Sequence, residues 1–345
     1  MSRKRTLSIL LGIVVVLASA LFVAKSMHQN SAEDSKEKPP QEYLQIVGMR
    51  FLNNKDRLGG AQTIFSLYSI AQHKVVENYA LGNVALYPVA CMDFAHKKIY
   101  YSGSDNNLYD NLYVYDIVSK QSKQLTHDKM LFNDLFMVGD TLIGNVAPEG
   151  KTCVQAAIFH PEQGKVNYYN AHDDDTWFHS LSYNPITGTL LALTCSDQEM
   201  RSDRVATQTH ICPKQIILMN PDFSDSKMIY KTEAFEIGET RQLDAHRILM
   251  ITNKQMGSGG PRQLQILNLD NDTVDKLNIE GLIEPQSAYP DRKGEHLYVL
   301  GRSSASPLSL FDYDIQKHKL TDLLAGYQFP SGYKILVNFT YTSLP

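Results

Sequence analysis

The hydrophobic positions of this chain follow the short period of β-strands over most of its length. From residue 43 onward, runs of β-branched and aromatic residues alternate with clusters of Gly, Asn, Asp, Ser and Pro. This alternation is typical of strands joined by turns, and the region sustains no helical period. The sequence therefore predicts an all-β domain.

One hairpin pattern recurs six times in this region. Each copy has an apolar strand end, a short polar turn and a second strand, as in YDIVSKQSKQL and YDIQKHKLTDL. The copies are separated by 44 to 60 residues and begin at Tyr68, Tyr115, Phe159, Met219, Leu267 and Tyr313. A fixed period of this kind indicates one supersecondary unit per repeat.

A further turn with a strongly apolar strand precedes five of these hairpins. The five segments are FAHKKIYYSG, VGDTLIGNV, YNPITGTLLALT, LDAHRILMIT and YPDRKGEHLYVLG. Each unit then holds four strands, which is typical of a β-propeller blade and is not expected of a repeat-free β-sandwich. We predict a six-bladed β-propeller over residues 43–345. The strand at residues 332–342 would supply the inner edge of the first blade and close the ring.

The turns resemble those of the six-bladed, TolB-like propellers of bacterial envelope proteins. Blades of that family often carry a turn of the form S/F-P-D-G-K-x-L-x-F and end in Leu-Thr. YPDRKGEHLYVLG and YNPITGTLLALT are similar to the turn, and KQLTHD is similar to the end. The resemblance covers residues 43–342 and implies the fold. The motif is structural and common to many functions.

The N-terminus carries the clearest local signal. The basic segment MSRKR precedes an uncharged apolar run at residues 6–24, which at about 1.5 Å per residue spans the core of a bilayer. We expect residues 1–24 to form a single-pass membrane anchor with a cytoplasmic N-terminus. A flexible linker at residues 25–42 would then lead to a propeller outside the cell. The alternative is a signal peptide cleaved near Ala18-Ser19-Ala20, which would make the propeller secreted or periplasmic.

Charge and composition restrict the possible partners. The net charge is −4, so the chain lacks the broad positive surface that non-specific nucleic-acid binding requires. We predict no nucleic-acid partner and expect an envelope protein or a glycan instead.

The loops of a propeller point to a binding face. Loops between second and third strands, and loops between blades, gather around one mouth of the channel, where ligands usually bind. We expect polar and charged residues of these loops to form the ligand-binding face: Asp105, Asn106, Tyr109, Arg201, Arg204, Arg262 and Arg302.

Cys195 and Cys212 bracket the longest of these loops, at the end of one strand and the start of its neighbour. Paired strands bring such positions close together, so we predict a disulfide between them. Two unpaired core thiols are the alternative. Cys91 and Cys153 lie in different units and are expected to be buried apolar residues.

The densest polar cluster is NAHDDDTWFH at residues 170–179. Histidine and carboxylate side chains at a channel mouth could hold a divalent cation, although acidic residues after a strand are also common turn formers. This suggests a metal-dependent hydrolase or lyase that would use His127, Asp128, His172, Asp173 and His179. Because no GxSxG elbow or other catalytic motif is present, we favour a non-catalytic binding module without a cofactor.

Overall fold

The computed structural model describes most of the propeller region: residues 40–51, 61–83, 85, 88–104, 110–127, 130–151, 153–169, 171–206, 212–253, 261–329 and 333–344. Residues Gln41–Leu344 form one compact unit. The predicted apolar anchor lies outside the described residues. Among the residues that are described, no helix is long and apolar enough to cross a membrane.

The described chain consists of short strands. In chain order they are β1 (Gln41–Phe51), β2 (Ala61–Ser69), β3 (Lys74–Asn83), β4 (Ala90–Asp93), β5 (Lys98–Ser104), β6 (Asp110–Asp116), β7 (Gln121–Gln124), β8 (Leu131–Val138), β9 (Thr141–Ala147), β10 (Gln155–His160), β11 (Lys165–Tyr168), β12 (Thr176–Asn184), β13 (Thr189–Ser196), β14 (Lys214–Met219), β15 (Lys227–Thr232), β16 (Glu236–Gln242), β17 (Arg247–Asn253), β18 (Gln263–Asn268), β19 (Thr273–Leu277), β20 (Leu282–Pro290), β21 (His296–Ser303), β22 (Ser309–Asp314), β23 (Lys319–Asp322) and β24 (Tyr333–Leu344). One helix, α1 (Asp197–Ala206), lies between β13 and β14.

These strands form six antiparallel four-stranded sheets, the blades of a propeller. Blade 1 combines β24 with β1, β2 and β3, and blades 2 to 6 each take the next four strands in order. β24 pairs with β1 over nearly its whole length, with Gln41 opposite Leu344 and Gln45 opposite Thr340. The predicted six-bladed propeller and its closure by the C-terminal strand are both confirmed. The first strand begins at Gln41, two residues before the expected boundary.

Six apolar clusters hold neighbouring blades together. Each cluster combines buried side chains of two adjacent blades, and one of them joins blade 6 to blade 1 through Leu44, Tyr298 and Phe339. The second strands are buried on both faces, which explains their continuous apolar sequences. The outer strands are mostly exposed. Burial between blades therefore stabilises the ring.

The recurring hairpin joins the third and outer strands of every blade, as the repeat predicted. In YDIVSKQSKQL the strands β6 and β7 meet at Asp116 and Gln121. In five blades the residue directly before the outer strand has a positive φ: His73, Lys120, Gly164, Asp272 and His318. The turn before the outer strand thus keeps the same backbone conformation in these five blades, although the residue type at this position differs.

A bulge recurs near the start of the inner strands. In blades 3 to 6 the register of the inner strand skips one residue at the same place opposite the second strand. The extra residues are Asn133, His179, Gly238 and Gln286. β-Bulges re-aim side chains and are common beside functional sites. The bulges of blades 4, 5 and 6 meet at one cavity.

Candidate functional site

A cavity of about 320 Å³ lies where these three bulges meet. Its lining includes Asn253 and Arg262, which lie at either end of the connection between β17 and β18, so it lies beside the loops between second and third strands that form the expected binding face. Its lining is mostly polar: His179, Lys214, Glu236, Ile237, Gly238, Glu239, Ile251, Thr252, Asn253, Arg262 and Gln286. Hydrogen-bond donors and acceptors, among them cationic and anionic side chains, therefore surround one concave site.

A buried lysine lies at the wall of this cavity. Lys214 is 1% exposed, and its Nζ lies 2.6 Å from Nε2 of His179 and 3.7 Å from a carboxylate oxygen of Glu236. An ammonium group can only donate, so Nε2 of His179 accepts this hydrogen bond. Glu236 also accepts a hydrogen bond from the backbone N–H of Cys212. The Glu236 carboxylate thus lies between the Lys214 ammonium and the backbone amide of Cys212.

Two thiols complete this group. Nε2 of His179 lies 3.1 Å from Sγ of Cys195, and a ring nitrogen of His179 and the Sγ atoms of Cys195 and Cys212 all lie within 4.8 Å of one another. Both cysteines are buried and carry free thiols. We call His179, Cys195, Cys212 and Lys214 the thiol cluster.

The structure does not contain the predicted disulfide between Cys195 and Cys212, although the two residues are neighbours. β13 and β14 pair Thr194 with Gln215, and continuing this register places Cys195 opposite Lys214. Cys212 lies two residues further along, in a diagonal position. Cys91 and Cys153 are buried and unbridged, as expected.

Helix α1 covers the thiols from one side. Ser196 Oγ accepts the backbone N–H of Glu199, the first half of a capping box, and it donates to Asp175 at 2.7 Å. Met200, in the first turns of the helix, packs with both cysteines and with Trp177. Trp177 also stacks on His179, with ring centroids 5.8 Å apart. The imidazole and the thiols are thus held in place by their surroundings.

The electrostatics of the thiol cluster follow from burial and from the lysine. Desolvation, with the charge of Lys214 second, lowers the pKa of His179 to about 3. The imidazole is accordingly neutral, as its acceptor role requires. The hydrogen bond between the thiols raises the pKa of Cys195 and lowers the pKa of Cys212, so Cys212 is the acceptor of the pair.

A second charged group lies on the inner strands of blades 3, 5 and 6. Arg241 donates from Nη2 to the Tyr289 hydroxyl at 2.8 Å and lies 3.3 Å from a Glu239 carboxylate oxygen. Its guanidinium also stacks 4.1 Å from the centre of the Tyr289 ring. Ser287 donates to Glu239, and Asp134 faces this group from blade 3. We call Asp134, Glu239, Arg241, Ser287 and Tyr289 the central polar cluster.

The predicted ligand-binding residues occupy different places. Arg262 lines the cavity, and its Nη1 donates to the Gln286 carbonyl at 3.4 Å. Arg201 pairs with Asp197 within α1, Arg204 lies in α1, and Arg302 pairs with Glu284 at 3.7 Å. Asp105, Asn106 and Tyr109 lie outside the described residues.

Only one of the predicted metal ligands lies in a possible metal group. Within the described residues, His179 with Cys195 and Cys212 is the one cluster of His, Cys, Asp and Glu side chains close enough to share an ion. His127 contacts Gln124, His172 is exposed, and Asp173 accepts two backbone N–H groups of its own turn. Asp128 lies outside the described part of the chain.

Sequence reasoning missed Lys214, Glu236, Glu239 and Gln286. A signal for the glutamates is present, because EIGETRQ places three charged residues in one strand of an otherwise apolar repeat. Buried charges in a strand are rare unless they are paired. Lys214 gives a weaker signal: it stands two residues before the apolar run IILM, in the same strand.

Comparison with known proteins supports the architecture. Neither a protein-family model nor a curated protein matches the sequence. Among solved structures, an oligogalacturonate lyase in complex with manganese aligns over 82% of this chain and 73% of its own, with 12% identity and a TM-score of 0.50. A structure titled as a nidogen/laminin complex aligns over 81% and 92%, with 9% identity and a TM-score of 0.51. TolB from Acinetobacter baumannii aligns over 89% and 67%, with 11% identity and a TM-score of 0.50.

The class defined by these observations is the six-bladed β-propeller. By structural resemblance this one is TolB-like. The similar structures include a lyase and a TolB protein, so the fold alone does not decide between catalysis and binding.

Proposed function

We propose that this chain is a non-catalytic binding module that holds a glycan in the cavity of blades 4 to 6. The observation that carries the proposal is the cavity itself, in which three bulged strands direct polar side chains towards one space. Its volume lies at the small end of ligand pockets, which hold roughly 300 to 1,000 Å³.

The lining suits a polyhydroxyl ligand. Glu236 and Glu239 are acceptors, Lys214 and Arg262 are donors, and Gln286 offers both. A sugar hydroxyl both donates and accepts, so closely spaced groups of both kinds can satisfy it. A flat protein partner would leave most of these recessed groups without contact.

The proposal includes the cellular location of the propeller. The apolar run at residues 6–24 supports a membrane tether with the propeller outside the cell, and the TolB-like fold supports a place at the cell envelope. An envelope protein is the alternative partner. The metal-dependent hydrolase or lyase gains no support from His127, His172 and Asp173, since the described residues do not gather them.

Binding of the purified full chain in detergent to a glycan array tests the proposal. We expect Arg262→Ala to weaken binding of the selected glycan roughly tenfold, because it removes a charged donor from the cavity. Lys98→Ala is the matched control, since Lys98 lines a different cavity of about 290 Å³, formed by residues of blades 2 and 3.

Two results would contradict this assignment. Equal effects of Arg262→Ala and Lys98→Ala would separate glycan binding from the cavity. Absence of glycan binding, together with an envelope protein whose cross-linking to the chain requires Arg262, would favour the protein partner.

A further inference from the structure

The thiol cluster presents three metal-binding donor atoms at the wall of the cavity. A ring nitrogen of His179, Cys195 Sγ and Cys212 Sγ all lie within 4.8 Å of one another, and His179 Nε2 is 3.1 Å from Cys195 Sγ. Ligand atoms of a tetrahedral zinc site are roughly 3.3 to 3.8 Å apart, given the usual bond lengths. We propose that these three residues form a zinc site, which needs only small side-chain movements.

A cation already lies among these donors. The Lys214 ammonium is buried, contacts Nε2 of His179 and lies 3.7 Å from the Glu236 carboxylate. The imidazole therefore directs its lone pair towards a positive charge, in the tautomer that a metal ion requires. Since Lys214 also lines the cavity, its flexible stem can turn into that space when an ion takes the place of the ammonium.

The donor set selects the kind of metal. Two sulfurs and one imidazole suit zinc or copper(I), whereas calcium, magnesium and manganese prefer oxygen. Two cysteines, one histidine and an open fourth position form a known zinc arrangement. On binding, each thiol gives up its proton to solvent and forms a sulfur–zinc bond, so zinc binding releases two protons.

The residues around the donors hold them in place. Trp177 stacks on the imidazole, Met200 covers the thiols, and Glu236 accepts the Cys212 N–H. Such surrounding contacts orient ligands and raise the affinity of a site. Cys91 and Cys153 are also buried, and in the part of the chain that the structure describes neither belongs to a group of three His, Cys, Asp or Glu side chains close enough to share an ion.

Cobalt(II) titration of the reduced full chain tests the assignment directly. Cobalt replaces zinc in tetrahedral sites, and bonds to sulfur give a charge-transfer absorption in the near ultraviolet. We expect one cobalt per chain with this absorption, displaced by one equivalent of zinc. Cys212→Ser should remove the absorption, and Cys91→Ser, a change of another buried thiol, should leave it intact.

A change of the competing charge gives a second measurement. Lys214→Gln removes the ammonium from the ion's place, so zinc affinity in competition with a chromophoric chelator should rise roughly tenfold or more. Weaker zinc binding by a folded Lys214→Gln chain would overturn the assignment. So would cobalt binding without the sulfur absorption, binding that survives Cys212→Ser, or binding of copper(I) alone.

The zinc site does not depend on the proposed function. All of these measurements report on the ion, so loss of glycan binding in Arg262→Ala leaves them unchanged. An oxidised Cys195–Cys212 pair in the freshly purified chain, seen as a mass two hydrogens lower, would overturn the zinc site while leaving the glycan proposal in place.

Discussion

Two buried cations in neighbouring blades have very different surroundings. Arg241 in the central polar cluster meets oxygen atoms on several sides: the Tyr289 hydroxyl at 2.8 Å, the Thr240 carbonyl at 2.8 Å and Glu239 at 3.3 Å. Lys214 in the thiol cluster meets an imidazole nitrogen and one carboxylate at 3.7 Å, with two sulfurs nearby.

The two cations differ in whether a metal ion could take their place. Arg241 joins blade 5 to Tyr289 of blade 6 and faces Asp134 of blade 3, and its planar group matches the geometry of these acceptors. No other cation reproduces that set of contacts. Lys214 has fewer strong partners and lies beside an open cavity, so a metal ion can replace it. We infer that Arg241 is structural and that Lys214 marks a binding site.

The largest expected effect is the loss of the structural cation. Arg241→Met should lower the free energy of unfolding by roughly 3 to 5 kcal/mol, because it removes a buried cation and leaves the buried Asp134 and the partly buried Glu239 without their shared charge partner. Urea unfolding of the full chain measures the change. Arg302→Met is the control: its pair with Glu284 is solvent-exposed, so we expect a loss below about 1 kcal/mol.

A loss as small for Arg241→Met as for Arg302→Met would remove the contrast between the two buried cations. In that case the central polar cluster would be no more structural than an exposed ion pair.

A smaller effect should appear as a pH dependence. Burial raises the pKa of Asp134 to about 6 from an ordinary value of 3.8, and the charge of Arg241 only partly offsets this. Between these two values the native state holds more protons than the unfolded chain, so stability falls as the pH rises through this window. We expect a fall of roughly 1 to 2 kcal/mol between pH 4 and about pH 6.5, absent in Asp134→Asn.

Asp314→Asn is the control for this pH dependence. Hydrogen bonds from Lys317 lower the pKa of the partly exposed Asp314, so its contribution has the opposite sign and is lost as the pH falls. If wild-type chain and Asp134→Asn showed the same slope from pH 4 to 6.5, Asp134 would not titrate in the folded state as proposed.

The architecture could be predicted because it is repeated in the sequence. Second strands buried on both faces are continuously apolar, and the turn before each outer strand must accept a positive φ, so both leave a local pattern six times over. Even the closing strand was visible, because the chain continues after the sixth hairpin with one more strand.

The candidate site could not be predicted in this way, because its residues do not follow the repeat. His179 and Gln286 reach the cavity because a bulge shifts the register by one residue, and a bulge leaves no regular pattern in one sequence. The proximity of Cys195 and Cys212 was predictable from strand pairing, whereas their diagonal placement was not. Helix α1 was missed as well, although SDQE carries the spacing of a capping box.

The smallest expected effect separates two contacts of one side chain. Tyr289→Phe removes the hydroxyl that accepts from Arg241 but keeps the ring 4.1 Å from the guanidinium, so we expect a loss of about 1 kcal/mol in urea unfolding. Tyr289→Leu removes the ring face as well and should cost roughly 1 to 2 kcal/mol more. Because Glu239 still pairs with Arg241 in both variants, neither loss should reach that of Arg241→Met. Equal losses in the two variants would mean that the ring face contributes nothing to holding the cation, and that the structural role of Arg241 rests on its oxygen partners alone.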